Sequence, residues 1–364
     1  MKIALRIPTL PPSMLGVTVY MHNHLTSLAD QIPSDWDIVA YTSGRHRTVW
    51  PYDAIKHKHI PIPNRILAWT SRKDLLLNSR MIFGKCSLIH DHTSDWIPND
   101  TKDPVITTIH DICILRPEID DYPDSVRQDT RAKLARITAK SRKIITISEF
   151  SKREICCEFD IDESRIEVIH NGVDHNWFKP KAASIEPSAS PRFALYAGGY
   201  AKRKNVPALL QAFDLIGKQR GSELELVMTG HAPKDLVQYT KERNLPVKWT
   251  GMISAQQLLE LYQTAHIFVF PSIYEGFGMP PIEAMACGVP VASSNADCVK
   301  EVAGDASMQF DPGDPQNMAD VISRLADDEN LRAEYRQRGL LRAQMYSWQK
   351  NATKTVALYR EVAD

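Results

Sequence analysis

The sequence carries no net charge: among its 364 residues, 44 Lys and Arg balance 44 Asp and Glu. A uniform positive field that would attract nucleic acid is therefore excluded, and any electrostatic partner must be sought in a local patch. Cysteine is scarce and scattered, at Cys86, Cys113, Cys156, Cys157, Cys287 and Cys298. These form no C-x-x-C pair and no Cys/His set with zinc spacing, so neither a disulfide framework nor a zinc module is encoded. Isolated thiols in a long chain read as small buried hydrophobes in a reducing cytoplasm. Long apolar runs are missing too. None approaches the roughly 20 residues of a spanning helix, and Met1–Arg6 enters a strand pattern without the apolar stretch of a secretory leader. The expectation is a cytoplasmic protein, at most peripheral on the inner face of a membrane.

What is present is ordinary globular material, 43% hydrophobic and 24% charged. At roughly 150 residues per domain, the length predicts two domains. Short β-branched apolar runs alternate with longer amphipathic stretches. Strands are expected at Lys2–Ile7, Ile38–Tyr41, Leu88–Asp91, Val105–His110, Lys143–Ser148 and Arg165–His170. A second series follows at Phe193–Ala197, Glu223–Thr229, Val247–Thr250, Ile267–Phe270 and Val289–Ser293. Helices are expected between them, as at Val17–Asp30, Val126–Lys140, Val206–Lys218, Ala255–Thr264 and Pro281–Cys287. Alternation of this kind predicts parallel sheets covered by helices, an α/β architecture. The aperiodic, Pro/Ala/Ser-rich stretch Lys179–Pro191 separates the two series and reads as a linker between a domain at 1–178 and one beginning at 192.

Parallel sheets bind ligands beyond the carboxyl ends of their strands. Four segments there carry chemistry. In Tyr196–Pro207 a strand ends, Gly198 and Gly199 turn, Lys202, Arg203 and Lys204 follow, and a helix begins, with Asn205 as its expected N-cap. Glycines let a backbone approach phosphate, and cations beside a helix start neutralise it; a solvated basic turn would look the same. In Phe270–Gly288, Gly276 and Gly278 form a tight loop before a helix begun by Pro280 and Pro281. Glu275 and Glu283 flank that loop. They can line one pocket and accept the hydroxyls of a vicinal diol, or serve as a surface charge and a helix-start partner. His110 ends the strand at Val105, as a ligand-facing imidazole or a satisfied structural one. Gly16 follows the first strand, in a ligand loop or a plain turn.

Glu275-x7-Glu283, set in Glu-Gly-Phe-Gly-x-Pro-x-x-Glu-Ala-Met-Ala-Cys-Gly, resembles the E-x7-E signature of glycosyltransferase family 4. Gly198-Gly199-x-x-x-Arg203-Lys204-Asn205 is similar to that family's phosphate loop, in the form common among mannosyltransferase-like members. Ser148–Ser151, Asn171–Asp174, Phe310–Pro315 and Ser347-Trp348 extend the likeness over nearly the whole chain. Thr18 departs from it, standing where a second glycine or small residue is common.

The resemblance implies a GT-B fold: two facing Rossmann-like domains, the second at 192–346, with the active site in the cleft between them. A closing segment 347–364 would cross back onto the first domain. It implies a retaining transferase that takes a hexose from a nucleotide sugar, GDP-mannose or a UDP-sugar. The acceptor would be a glycan or a lipid-pyrophosphate-linked precursor. No metal ion is required; Arg203 and Lys204 would neutralise the departing diphosphate. Glu283 would hold the ribose, and Glu275 and His110 the transferred sugar. Gly16, Gly198, Gly199, Gly276, Phe277, Gly278 and Met279 would border the donor, with Met252 and Ile253 near the base. An epimerase of the same fold and a non-catalytic nucleotide-sugar-binding protein are the alternatives.

Three local readings complete the picture. Ser151 and Glu154 look like a capping box. Asn171-Gly172 looks like a turn with positive φ at Gly172. From Arg45 to Arg80, eight basic residues (Arg45, Arg47, Lys56, Lys58, Arg65, Arg72, Lys73, Arg80) face only Asp53 and Asp74, with Trp50 and Trp69 among them. That segment is a candidate surface for anionic lipid or a lipid-pyrophosphate, or a solvated basic face.

Overall fold

A computed structural model describes residues 1–8, 16–45, 50–72, 78–95, 102–181, 192–220 and 224–363. The chain divides into two compact units. One comprises Met1–Leu115, Tyr122–Gly172 and Trp348–Asp364; the other comprises Arg116–Asp121 and Val173–Ser347. Most of the Lys179–Pro191 stretch, from 182 to 191, lies outside the described residues.

The first unit is built on strands β1 (Lys2–Arg6), β2 (Asp37–Ser43), β3 (Lys56–Ile60), β4 (Leu88–Asp91), β5 (Val105–Thr108), β6 (Lys143–Thr146) and β7 (Ile166–Val168). They form one sheet, ordered β3-β2-β1-β4-β5-β6-β7, with every pairing parallel. Its helices are α1 (Gly16–Ala29), α2 (Asn64–Arg72), α3 (Ser79–Phe83), α4 (Asp124–Lys140) and α5 (Glu149–Phe159). Parallel strands are buried on both faces and so read as continuous apolar runs. Ile3, Ala4 and Leu5 of β1 and Ile106 of β5 are fully inaccessible.

The second unit holds β8 (Phe193–Tyr196), β9 (Glu225–Met228), β10 (Val247–Trp249), β11 (Ile267–Phe270), β12 (Val291–Ser294) and β13 (Ser307–Phe310). Their order is β10-β9-β8-β11-β12-β13, again all parallel. Helices α6 (Val206–Arg220), α7 (Lys234–Glu242), α8 (Ala255–Thr264), α9 (Met279–Ala286), α10 (Asp297–Ala303), α11 (Pro315–Asp327) and α12 (Glu329–Ala343) belong to it. Leu209, Leu210 and Phe213 of α6 join Met318 and Ile322 of α11 in one core against the sheet. In each sheet the strand order reverses once, between β1 and β4 and between β8 and β11, and such reversals open crevices at the carboxyl ends.

The last helix, α13 (Trp348–Ala363), belongs to the first unit. His24 Nδ1 on α1 meets Asn351 Oδ1 at 2.7 Å, and Gln31 Nε2 donates to the Gln349 carbonyl at 2.8 Å. His90 Nδ1 at the end of β4 meets the Tyr359 hydroxyl at 2.5 Å. Trp348 sets its ring edge-on to Tyr20 at 5.7 Å. The chain's end is thus a fixed part of the N-terminal unit.

Four local expectations are corrected. The α5 cap is Ser148, whose hydroxyl accepts the Ser151 N–H at 3.0 Å, so Ser151 lies inside the helix and does not begin it. Gly172 is absent from the glycines with positive φ; Val173 beside it instead bridges to Ser347 in parallel. Asn205 has the left-handed conformation (φ 54°), and its side-chain amide donates to the Pro312 carbonyl at 2.8 Å, so it ties two loops together in place of capping α6. Cys157 is exposed, and Cys113 and Cys156 are only half-buried; Cys86, Cys287 and Cys298 are the buried thiols.

Candidate active site

Three of the sequence candidates, Arg203, Lys204 and Glu275, come together at the reversal between β8 and β11 in the second unit. Beyond β8 the chain passes through Gly198 and Gly199 into a short 3-10 turn, Lys202–Lys204. A Cβ at Gly198 would lie 2.9 Å from the Tyr196 hydroxyl, which itself donates to the Gly199 carbonyl at 2.5 Å. A side chain there would push Tyr196 off the loop it holds. Beyond the adjacent β11, the Ile273 N–H donates to the Arg203 carbonyl at 2.9 Å and fastens the two loops together.

That fastening brings Glu275 onto the cations. Its carboxylate accepts Arg203 Nη1 at 2.9 Å and Lys204 Nζ at 2.5 Å. The Glu275 side chain is 8% exposed, Lys204 12% and Arg203 23%, so the pairs are shielded but not sealed. Lys204 Nζ also stands 5.5 Å from the centre of the Phe270 ring, a cation–π contact. On its other side Arg203 meets Asp120, with Nε 3.3 Å from Oδ2. Asp120 was invisible to the sequence reading. Its one available cue was the acidic pair Asp120-Asp121, a few residues past His110.

Gly278 caps α9 with φ 83°, which a side chain resists, and its Cα faces the Phe270 ring. Pro280 and Pro281 carry no N–H, so the first turn of α9 offers the amide of Met279 behind that of Gly278. Gly276 and Phe277 are buried in the same loop, Phe277 edge-on to Tyr346. Glu283 projects from α9 and accepts the Tyr262 hydroxyl at 3.0 Å. Burial raises its carboxyl to about 7, and the Tyr262 bond only partly offsets that. Glu283 therefore sits at the boundary between acid and carboxylate near neutrality. Met252 is exposed and Ile253 half-buried just beyond β10. The Gly230 N–H donates to the Gly251 carbonyl at 2.9 Å, while the Gly198 carbonyl lies 3.8 Å from a Cβ placed at Gly230. The loops after β8, β9 and β10 thus adjoin.

His110 and Gly16 belong to the first unit. Gly16 starts α1 in open space; the loop 9–15 before it lies outside the described residues. His110 lies just past β5 and packs edge-on against Tyr20, centroids 4.5 Å apart. Tyr20 stacks on His24, which adjoins His92, which adjoins His90. Burial lowers all four histidines, His24 to about 4, so the cluster is held neutral. His110 Nε2 and both ring nitrogens of His92 are buried without a partner among the described residues. Among the described residues, no group of three or more His, Cys, Asp or Glu is arranged to hold a metal ion.

Residues 15–177 match the description "Glycosyltransferase Family 4" and residues 178–342 match "Glycosyl transferases group 1". The O-antigen chain mannosyltransferase B of Escherichia coli is 30% identical over 322 residues, covering 81% of this chain and 83% of the relative. Among solved structures, a sucrose-phosphate synthase from Thermosynechococcus elongatus superposes with a TM-score of 0.80 at 20% identity, covering 99% of this chain and 98% of that one. The Anabaena protein HepE, solved with UDP and glucose, superposes at 0.74 with 17% identity, covering 99% and 100%. The chain belongs to glycosyltransferase family 4 and has the GT-B fold. Among the described residues, no helix is long and apolar enough to cross a membrane.

Proposed function

We propose that this glycosyltransferase moves mannose from GDP-mannose to a glycan or lipid-linked acceptor, with retention of configuration. The observation that carries the donor site is the packing of Arg203 and Lys204 against Glu275 at the strand-order reversal of the second sheet. Two shielded cations beside a helix start suit a diphosphate, since charge-assisted hydrogen bonds strengthen where water is scarce. The choice of mannose rests on the G-G-x-x-x-R-K-N loop and on the mannosyltransferase relative. The HepE structure with UDP favours a UDP-sugar as the second reading.

In this reading the bond from the anomeric carbon to the diphosphate oxygen breaks while the acceptor oxygen bonds to that carbon on the same face. The acceptor proton leaves with the nucleoside diphosphate. Arg203 and Lys204 stabilise the charge that grows on the departing oxygen, which is the largest contribution a preorganised site can make. Glu275 and neutral His110 hold sugar hydroxyls, and Glu283 holds the ribose pair. Gly198, Gly199, Gly276 and the amides of Phe277, Gly278 and Met279 border the donor, with Met252 and Ile253 toward the base. Gly16 borders the donor phosphates and the acceptor.

The basic segment is read as peripheral contact with anionic lipid. Ile66 and Trp69 of α2 and Met81 of α3 are exposed, at 45%, 54% and 80%, among Arg65, Arg80, Lys56 and Lys58. Arg47, Lys73 and Asp74 lie outside the described residues.

The test is nucleoside diphosphate release from GDP-mannose, UDP-glucose and UDP-N-acetylglucosamine, with and without a membrane-lipid extract as acceptor source. GDP release stimulated by the extract is expected. Release from the UDP-sugars alone would transfer the proposal to the second reading.

A further inference from the structure

The donor-site cations hold more negative charge than a diphosphate site needs. Arg203 is gripped from two sides, by Glu275 at Nη1 and by Asp120 at Nε. Asp120 is 7% exposed and comes from Arg116–Asp121, six residues that pack with the second unit although the chain on either side of them belongs to the first. The segment is held as a turn. Pro117 follows Arg116, whose carbonyl accepts the Ile119 N–H at 3.1 Å. Ile119, next to Asp120 in the chain, is buried as well. The neighbouring Asp121–Lys202 pair, at 3.5 Å, is exposed on both sides and contributes little.

Two carboxylates thus balance two cations. An arriving diphosphate competes with Glu275 for the N–H groups of Arg203 and Lys204. Glu275 is shared between Arg203 and Lys204, so it can turn toward another partner once the diphosphate takes its place. Asp120 meets Arg203 at Nε, the edge of the guanidinium next to its stem, and not at Nη1 where Glu275 binds.

We propose that Asp120 is a positioning residue for transfer, holding the Arg203 guanidinium in the plane from which it meets the departing diphosphate. This rests on the donor-site reading above. The guanidinium is a rigid planar fork, so a carboxylate paired on its Nε side restricts the directions open to its terminal nitrogens. Asp120 carries a cost as well: its charge opposes the anion that Arg203 receives. A residue kept for orientation against electrostatics leaves a recognisable signature. Removing its charge binds the anion more tightly and transfers more slowly.

The experiment compares wild type with the near-isosteric Asp120→Asn and with Asp120→Glu. GDP and UDP binding is measured by calorimetry, and donor hydrolysis is followed as released nucleoside diphosphate. Asp120→Asn should bind the nucleoside diphosphate about two- to fivefold more tightly, the effect of removing one partly shielded like charge. Its turnover at saturating donor should fall about tenfold or more, as expected for a misaligned catalytic cation. Asp120→Glu should restore most of the turnover. A structural role alone would weaken binding and turnover together with the melting temperature, and that pattern would overturn the proposal. So would wild-type behaviour in Asp120→Asn. A wild-type protein that neither binds GDP or UDP nor hydrolyses a donor would instead bring down the donor-site reading, and this proposal with it.

Discussion

Replacing Lys204 by Met keeps the aliphatic stem and removes the charge. The loss has two parts that the structure separates. In the folded protein, Glu275 forfeits its 2.5 Å partner but keeps Arg203 at 2.9 Å. Breaking a fully buried pair costs about 3–5 kcal/mol; with Lys204 12% exposed and Arg203 remaining, about 1–3 kcal/mol is the appropriate range. That corresponds to a fall of a few degrees in melting temperature, at about 2–4 °C per kcal/mol. In the transition state the loss is larger, because charge accumulates on the diphosphate just where the ammonium is missing. Removing one such donor typically costs about 2.7–4 kcal/mol, or about 10²–10³ in turnover. The assay pairs a thermal melt with nucleoside diphosphate release at saturating donor. A folded Lys204→Met protein with wild-type turnover would refute the role given to this residue.

Three further outcomes follow from the same geometry. Glu275→Gln removes the carboxylate that competes for both cations, so GDP should bind more tightly by calorimetry while turnover falls; weaker binding would mean Glu275 supports the site only structurally. Glu283 sits near 7 because of burial, and hydroxyls donating to it favour the ionised form. Nucleoside diphosphate binding at pH 7 should therefore release about half a proton, read from calorimetry in buffers of different ionisation enthalpy; binding with no proton release would contradict the ribose role. His24 is fully buried and lowered to about 4, with its bond to Asn351 offsetting burial only in part. Its contribution is whole above pH ~6.5 and is lost as pH falls toward about 4, up to about 3 kcal/mol. The melting temperature should drop across that window and drop less in His24→Gln; a flat wild-type profile would contradict the account of a neutral histidine cluster.

The strands legible in the sequence were those buried on both faces. Ile-Phe-Val-Phe of β11 is a continuous apolar run because helices cover both sides of it. The two unforeseen strands, β3 (Lys-His-Lys-His-Ile) and β13 (Ser-Met-Gln-Phe), are sheet edges whose pairing on one side alone demands no such run. The motif residues Arg203, Lys204, Glu275 and Glu283 were legible because loop glycines and helix starts punctuate the sequence around them. Their partners were not. Asp120 reaches Arg203 across 83 residues and Tyr262 reaches Glu283 across 21, separations that no local pattern encodes. Likewise, Asn205 looked like a helix cap because only the structure reveals the Pro312 carbonyl it binds.

The most direct test of the account is calorimetric titration of GDP-mannose, GDP, UDP-glucose and UDP into the purified protein in a chelator-containing buffer. The account predicts saturable binding of the GDP series, weakened by Lys204→Met. Absence of binding by all four, with added magnesium as well as without it, would contradict the assignment of Arg203, Lys204 and Glu275 to a nucleotide-sugar site.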